Sequence, residues 1–265
     1  MESKTRKTAL VTGASSGIGY ELAKVFAKEG NDVVLVARTK DALEELAGEL
    51  RKAHSVDAWS IPVDLSDPAA SGMIRDALEK RSLVVDYLVN NAGIGARGRF
   101  SDLDLNLQLD MVQVNMTALT HLTRLLLPGM LGRKAGRILN VASTAAFVSG
   151  PLMAVYYASK AYVLSLSVAL ANELKGTGVT VTALCPGPTR TGFVKRAGTQ
   201  DTRLFKQDGV MEASEVALAG YRGMMEGKEV VVPGLRNKLL AAGVRLVPRG
   251  MAAQAARRLN EDAPA

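Results

Sequence analysis

Seven short apolar runs, separated by stretches long enough for helical crossovers, constrain this 265-residue chain more than any other feature of its sequence. The runs lie at residues 8–11, 32–36, 57–63, 84–89, 136–141, 179–184 and 229–232. Between them, at 18–28, 41–52, 67–80, 107–131, 156–174 and 213–226, apolar residues recur at helical spacing. Parallel strands cannot be joined by tight hairpins, so this alternation predicts a parallel sheet with crossover helices. Val33 to Val36 and Tyr87 to Val89 are continuously apolar, as strands covered on both faces should be. Asp41 and either Ser66 or Asp67 are candidate helix N-caps, and Pro68 suits a first turn. No repeat or linker interrupts the pattern between residue 5 and about 232. The expectation is one domain, 1–265, with an α/β Rossmann-like, doubly wound parallel sheet of about seven strands and helices on both faces. The basic stretch 234–265 is a tail or helix whose packing stays open.

Composition removes several alternatives. One cysteine, Cys185, excludes an intramolecular disulfide and a multi-cysteine metal site. The two histidines, His54 and His121, are not in ligand spacing, so no metal is expected. The polar, basic start has no leader-like apolar stretch, and no uninterrupted run approaches the roughly 18 residues of a membrane span. A cytoplasmic protein without a transmembrane segment is the expectation. A net charge of +7 favours anionic partners without ranking nucleotides, acyl carriers, headgroups or nucleic acid.

The first run ends in Thr12-Gly13-Ala14-Ser15-Ser16-Gly17-Ile18-Gly19, directly before a helical stretch. Its glycines are spaced TGxxxGxG rather than GxGxxG, but missing β-carbons serve the same end. They permit positive φ and let backbone approach a pyrophosphate at a helix N-terminus. A glycine-rich structural turn is the plainer alternative, and the strand-turn-helix context favours the phosphate site. The second run ends Val36-Ala37-Arg38, where an NAD-binding chain usually carries an acid for the ribose 2′-hydroxyl. A forked cation there favours a 2′-phosphate, hence NADP(H) over NAD(H), although Asp41 nearby could blunt it.

Tyr156 and Lys160 stand four apart at a helix start and so share a face. An ammonium beside a phenol favours its ionised form. Tyr157, three residues from Lys160, approximately shares that face too. Ser143 follows the fifth run, at the strand end where open α/β sheets bind ligands. Each residue alone reads as an ordinary half-buried aromatic, helix charge or turn residue.

Taken in order, the chain resembles the short-chain dehydrogenases/reductases over residues 5 to about 235. The resemblance rests on Thr12 to Gly19, Asp64-Leu65, Asn90-Asn91-Ala92-Gly93, Asn115, Ser143, Tyr156-x-x-x-Lys160 and Pro186 to Thr191. It implies Tyr156 as acid/base, with Lys160 holding the nicotinamide ribose and depressing the tyrosine pKa. Ser143 would orient the substrate oxygen, and Asn115 would anchor a water in the proton relay. For the cofactor it implies Gly13, Ser15, Ser16, Gly17, Ile18 and Gly19 at the pyrophosphate, with Arg38 selecting NADP. Asp64 and Leu65 would contact the adenine, and Asn91, Ala92 and Gly93 would flank the adenosine ribose. Pro186, Gly187, Thr189 and Thr191 would engage the carboxamide.

The function implied is NADP(H)-dependent hydride transfer between nicotinamide and a small-molecule carbonyl or secondary alcohol, of ketone or 3-oxoacyl type. A homodimer or homotetramer and no nucleic-acid partner go with it. A catalytically silent nucleotide sensor or scaffold is the competing class, and an intact Ser143, Tyr156 and Lys160 set argues against it. Residues 190–213 would cover the nicotinamide, as a lid over an apolar or acyl substrate or as a solvated loop. The tail, with Leu239-Leu240 among arginines, could pack on its own domain, on another subunit or on a membrane surface.

Overall fold

The computed structural model describes residues 6–207 and 209–263, so the ends of the expected domain, 1–5 and 264–265, lie outside the described residues. The first half alternates strand and helix: β1 (Thr8–Thr12), α1 (Gly17–Lys28), β2 (Asp32–Ala37), α2 (Lys40–His54), β3 (Ala58–Pro62), α3 (Ala70–Glu79) and β4 (Tyr87–Asn90). Then α4 (Leu105–Val112) runs through a π turn, Gln113–Ala118, into α5 (Leu119–Gly132), before β5 (Gly136–Val141), α6 (Ala154–Glu173) and β6 (Val179–Leu184). A short excursion follows, with β7 (Thr189–Arg190), α7 (Gly192–Arg196), α8 (Arg203–Lys206) and β8 (Met211–Glu212). The chain closes with α9 (Ala213–Met225), β9 (Val230–Val231), α10 (Leu235–Gly243) and α11 (Arg249–Asn260).

Seven strands form one parallel sheet in the order β3-β2-β1-β4-β5-β6-β9. Neighbouring residues of β1 divide the core. Val11 packs with Leu22, Phe26 and Val216 on one face, and Leu10 with Ile74, Leu122 and Ile138 on the other. Both faces are therefore covered, which is why these strands read as unbroken apolar runs. The strand order reverses between β1 and β4, and the carboxyl ends there open the crevice in which such sheets bind ligands.

Several boundaries differ from expectation for local reasons. The fourth strand starts at Tyr87 rather than 84, because Val84 lies outside the sheet and is half exposed. The helix expected from 67 starts at Ala70. Asp64 and Asp67 spend their carboxylates on turns, accepting from the amides of Ser66 (3.0 Å) and Ala69 (2.8 Å). Thr39, not Asp41, occupies the N-cap position of α2. The expected helix 107–131 is interrupted by the π turn that carries Asn115.

Candidate active site

The β1–α1 turn is built by close contact. Gly13 and Gly17 have φ of +66° and +61°. A β-carbon on Gly13 would sit 2.8 Å from Asn91 Nδ2, and one on Gly17 would sit 2.9 Å from Thr191 Cγ2. Gly19 lies behind the turn, where a β-carbon would be 2.4 Å from the carbonyl oxygen of Gly13. Thr12, which sequence reasoning did not assign, holds the turn to β4. Its Oγ1 donates to Val89 O (3.2 Å) and accepts from the amides of Asn91 and Ala92, both at 3.0 Å. Asn91 Nδ2 donates to Thr12 O (2.8 Å), so this side chain secures the turn rather than reaching outward. Ser16 occupies the N-cap of α1 without a side-chain cap hydrogen bond, and the first turn carries no acid. The positive end of α1 therefore faces the crevice beside the glycines, a fit for a dinucleotide's pyrophosphate. Arg38 is exposed at the same crevice, and its guanidinium makes only a loose 3.9 Å pair with Asp64.

On the other side of the crevice, α6 presents Tyr156 and Lys160. Lys160 is buried and its Nζ donates to Val141 O at 2.8 Å, which uses one of three donors. Burial lowers its pKa to about 8. Burial also raises the pKa of Tyr156, against a smaller lowering by its hydrogen bond with Ser143. Lys160 Nζ stands 5.8 Å from the Tyr156 ring centroid. Ser143 lies two residues beyond the end of β5 and caps the 3-10 turn Thr144–Phe147, its Oγ accepting from the amide of Ala145 at 3.1 Å. Tyr157 also lines the crevice, but its hydroxyl is taken up by α11, donating to Asn260 Oδ1 at 3.1 Å.

Asn115 works from behind. Its side chain is buried, accepts from the Ile94 amide and donates to Ile94 O and Ser159 Oγ, all at 2.9 Å. Ser159 in turn donates to Tyr156 O at 2.7 Å. The side chain thus ties the segment after β4 to the helix that carries Tyr156, and these bonds use both of its amide donors.

One continuous cavity of about 1100 Å³ joins the two sides. It is lined by Gly13, Ser15, Ser16, Gly17, Ile18, Arg38, Asp64, Leu65, Asn91, Ala92, Gly93, Ser143, Tyr156, Lys160, Pro186, Gly187, Thr189 and Thr191. Gly19 and Asn115 are not in its lining. Phe193, within the 190–213 segment expected to cover the nicotinamide, lies 5.3 Å from the Tyr156 ring, and Asn260 of α11 joins the same neighbourhood through Tyr157; only Asn260 was not anticipated, since no local spacing links it to Tyr156. No cluster of three or more His, Cys, Asp or Glu suited to a metal occurs among the described residues.

A doubly wound sheet with a glycine-rich phosphate turn at its switch point and a Tyr-Lys pair across the crevice defines a nucleotide-dependent oxidoreductase architecture. The chain belongs to the short-chain dehydrogenase family, whose model matches residues 7–202. It is 36% identical over 222 residues to the ketoacyl reductase HetN of a Nostoc species, covering 83% of this chain and 75% of that one. Among solved structures it is similar to a short-chain dehydrogenase from Sphingobium yanoikuyae in complex with NADPH. The match has 33% identity and a TM-score of 0.82, and it covers 97% of this chain and 98% of the other. It is also similar to the L-sorbose reductase of Gluconobacter frateurii complexed with NADPH and L-sorbose, with 26% identity, a TM-score of 0.74 and coverage of 86% and 94%.

Proposed function

We propose that this chain is an NADP(H)-dependent reductase of ketone or 3-oxoacyl carbonyls, with Tyr156 as the proton donor. The observation that carries the reading is the single cavity in which the uncapped N-terminus of α1 and Arg38 face the Ser143, Tyr156 and Lys160 group. The ketoacyl-reductase relative and the NADPH-bound structures support it. When bound, the nicotinamide supplies the hydride. Ser15 to Ile18 would hold its pyrophosphate, Arg38 the 2′-phosphate and Lys160 the nicotinamide ribose with its two remaining donors. Ser143 would hold the substrate oxygen beside the Tyr156 hydroxyl. At neutral pH Tyr156 is protonated and can give its proton to the carbonyl oxygen as the hydride arrives.

The test is oxidation of NADPH followed by absorbance against a panel of ketones and 3-oxoacyl thioesters. Tyr156→Phe should remove most turnover and leave NADPH binding intact. Arg38→Ala should weaken NADPH by about 1 to 3 kcal/mol and spare NADH. Equal losses for both cofactors would remove Arg38 as the phosphate reader. Tight NADPH binding without turnover of any carbonyl would favour the sensor class.

A further inference from the structure

The cavity that holds Tyr156 does not end at the catalytic group. It continues along the C-terminal helices, where Leu239 and Leu240 of α10 and Met251, Ala255 and Leu259 of α11 form its wall. Arg236 and Asn237 at the start of α10 are polar, but from Leu239 to Leu259 every residue lining the cavity is apolar. Along that stretch a substrate rich in hydroxyls would find no side-chain partners, and an unpaired polar group is costly to bury. Yet Leu239, Leu240 and Met251 are 65%, 56% and 63% exposed, so the wall leaves much apolar surface facing water. An apolar ligand would cover it, at a gain proportional to the area removed from solvent.

The wall is also held in place, unlike a frayed tail. Ala252, Ala256 and Asn260, four apart, form the buried face of α11. Asn260 Nδ2 donates to Pro151 O (3.0 Å), and its Oδ1 accepts from Tyr157, the neighbour of Tyr156. Arg97 Nη2 pairs with Asp262 at 3.0 Å, and the amides of Arg203 and Ala263 bond to Glu261 O and Asp201 O. These contacts fasten α11 to the catalytic helix and to the segment after β6 together. Small side chains at 252, 255 and 256 keep its cavity side low.

We infer that α10 and α11 are the specificity wall of this enzyme and bind a hydrocarbon substituent on the ketone, so that it selects long-chain apolar carbonyls over polyols. The inference rests on the proposed ketone reduction and names its substrate class. Leu240→Asp puts a charge on the wall and Ala255→Trp fills the space beside it. Both sites are exposed, so the fold should tolerate the changes.

The experiment measures kcat/KM with NADPH for straight-chain 2-alkanones from 2-butanone to 2-dodecanone. The wild-type value should rise by up to about fourfold per methylene until the wall is covered. In each variant the ratio of 2-decanone to 2-butanone should fall at least tenfold. A flat wild-type series, or an unchanged ratio in both variants, overturns the inference. A second readout needs no turnover: displacement of 1-anilinonaphthalene-8-sulfonate by the same ketones, tighter with chain length in wild type and weaker in Leu240→Asp. If neither a ketone nor a 3-oxoacyl thioester is reduced, the proposed function fails while the displacement series still judges the wall. Absence of any displacement would then sink the wall as well.

Discussion

Tyr156 and Tyr157 are adjacent in the chain and both line the cavity, but their hydroxyls have different partners. The first faces the cavity beside Ser143, and the second is buried with its hydroxyl on Asn260. Tyr157→Phe should therefore cost about 1 kcal/mol of stability, read by urea denaturation, with turnover far less affected than in Tyr156→Phe. Reversed effects on turnover would mean the helix face has been misassigned. Lys160 gives a pH-dependent expectation. Its folded pKa of about 8 lies below the ordinary 10.5, so between those values the unfolded chain binds the proton that the folded chain has lost. Stability thus rises with pH across that window, and the full cost of the buried ammonium is present below pH 8. Above about pH 10 the raised pKa of Tyr156 works the other way, since the unfolded tyrosine ionises first. Lys160→Met should be more stable at pH 7 by roughly 3 kcal/mol, less about 1 for the bond lost at Val141. That advantage should shrink between pH 8 and 10, and an advantage constant over that range would show that the buried charge is not its cause. The four-residue spacing made this pair legible in the sequence. The direction of its titration was not, because burial is set by residues distant in the chain.

At the scale of elements, the π turn inside the long α4–α5 segment decides where Asn115 sits. Its side chain fastens Ile94 and Ser159, and Ser159 reaches Tyr156 through one more bond. Asn115→Leu has nearly the right volume but removes the acceptor of the half-buried Ile94 amide and a donor to Ser159. It should destabilise by about 2 to 4 kcal/mol in urea and lower kcat more than it raises KM. A loss confined to stability would reduce Asn115 to a structural role. The apolar periodicity of 107–131 hid this turn, since one widened turn barely shifts a helical pattern. The β1–α1 turn was the opposite case. Its glycines announced themselves, and the contacts at Gly13, Gly17 and Gly19 supply the reason.

For the whole molecule, α6 is 20 residues long with a mean hydropathy of 1.3, enough by length and composition alone to cross a membrane. It instead flanks the sheet and carries buried Lys160 toward the cavity, yet only 28% of its apolar stretch is buried. Val168 on α6, with Leu109 and Val112 on α4, leaves large apolar side chains in solvent. A second copy of the chain would cover them through a symmetric contact, and we expect a homodimer or homotetramer. Light scattering at micromolar concentration should give a multiple of 28.1 kDa, and Val168→Glu with Leu109→Glu should shift it toward the monomer. A wild-type monomer would refute the expectation. The chain is likewise expected to unfold as one unit, with Trp59 fluorescence and helix signal coinciding in a thermal melt.

The alternation of strand and helix, the two-faced core, the glycine-rich turn and the Tyr156–Lys160 pair were legible in the sequence because each depends on local spacing, whereas the order of the strands was not. Periodicity chooses the element, glycine permits the turn, and four residues bring two side chains to one helix face. What lay beyond the sequence joins residues far apart in the chain. Asn260 meets Tyr157 across 103 positions, and Arg97 reaches Asp262 across 165. The basic tail, read as a packing, subunit or membrane helix, is in the folded chain a wall of the cavity. Only tertiary packing decides that, because an amphipathic helix specifies that one face will be covered and leaves open what covers it.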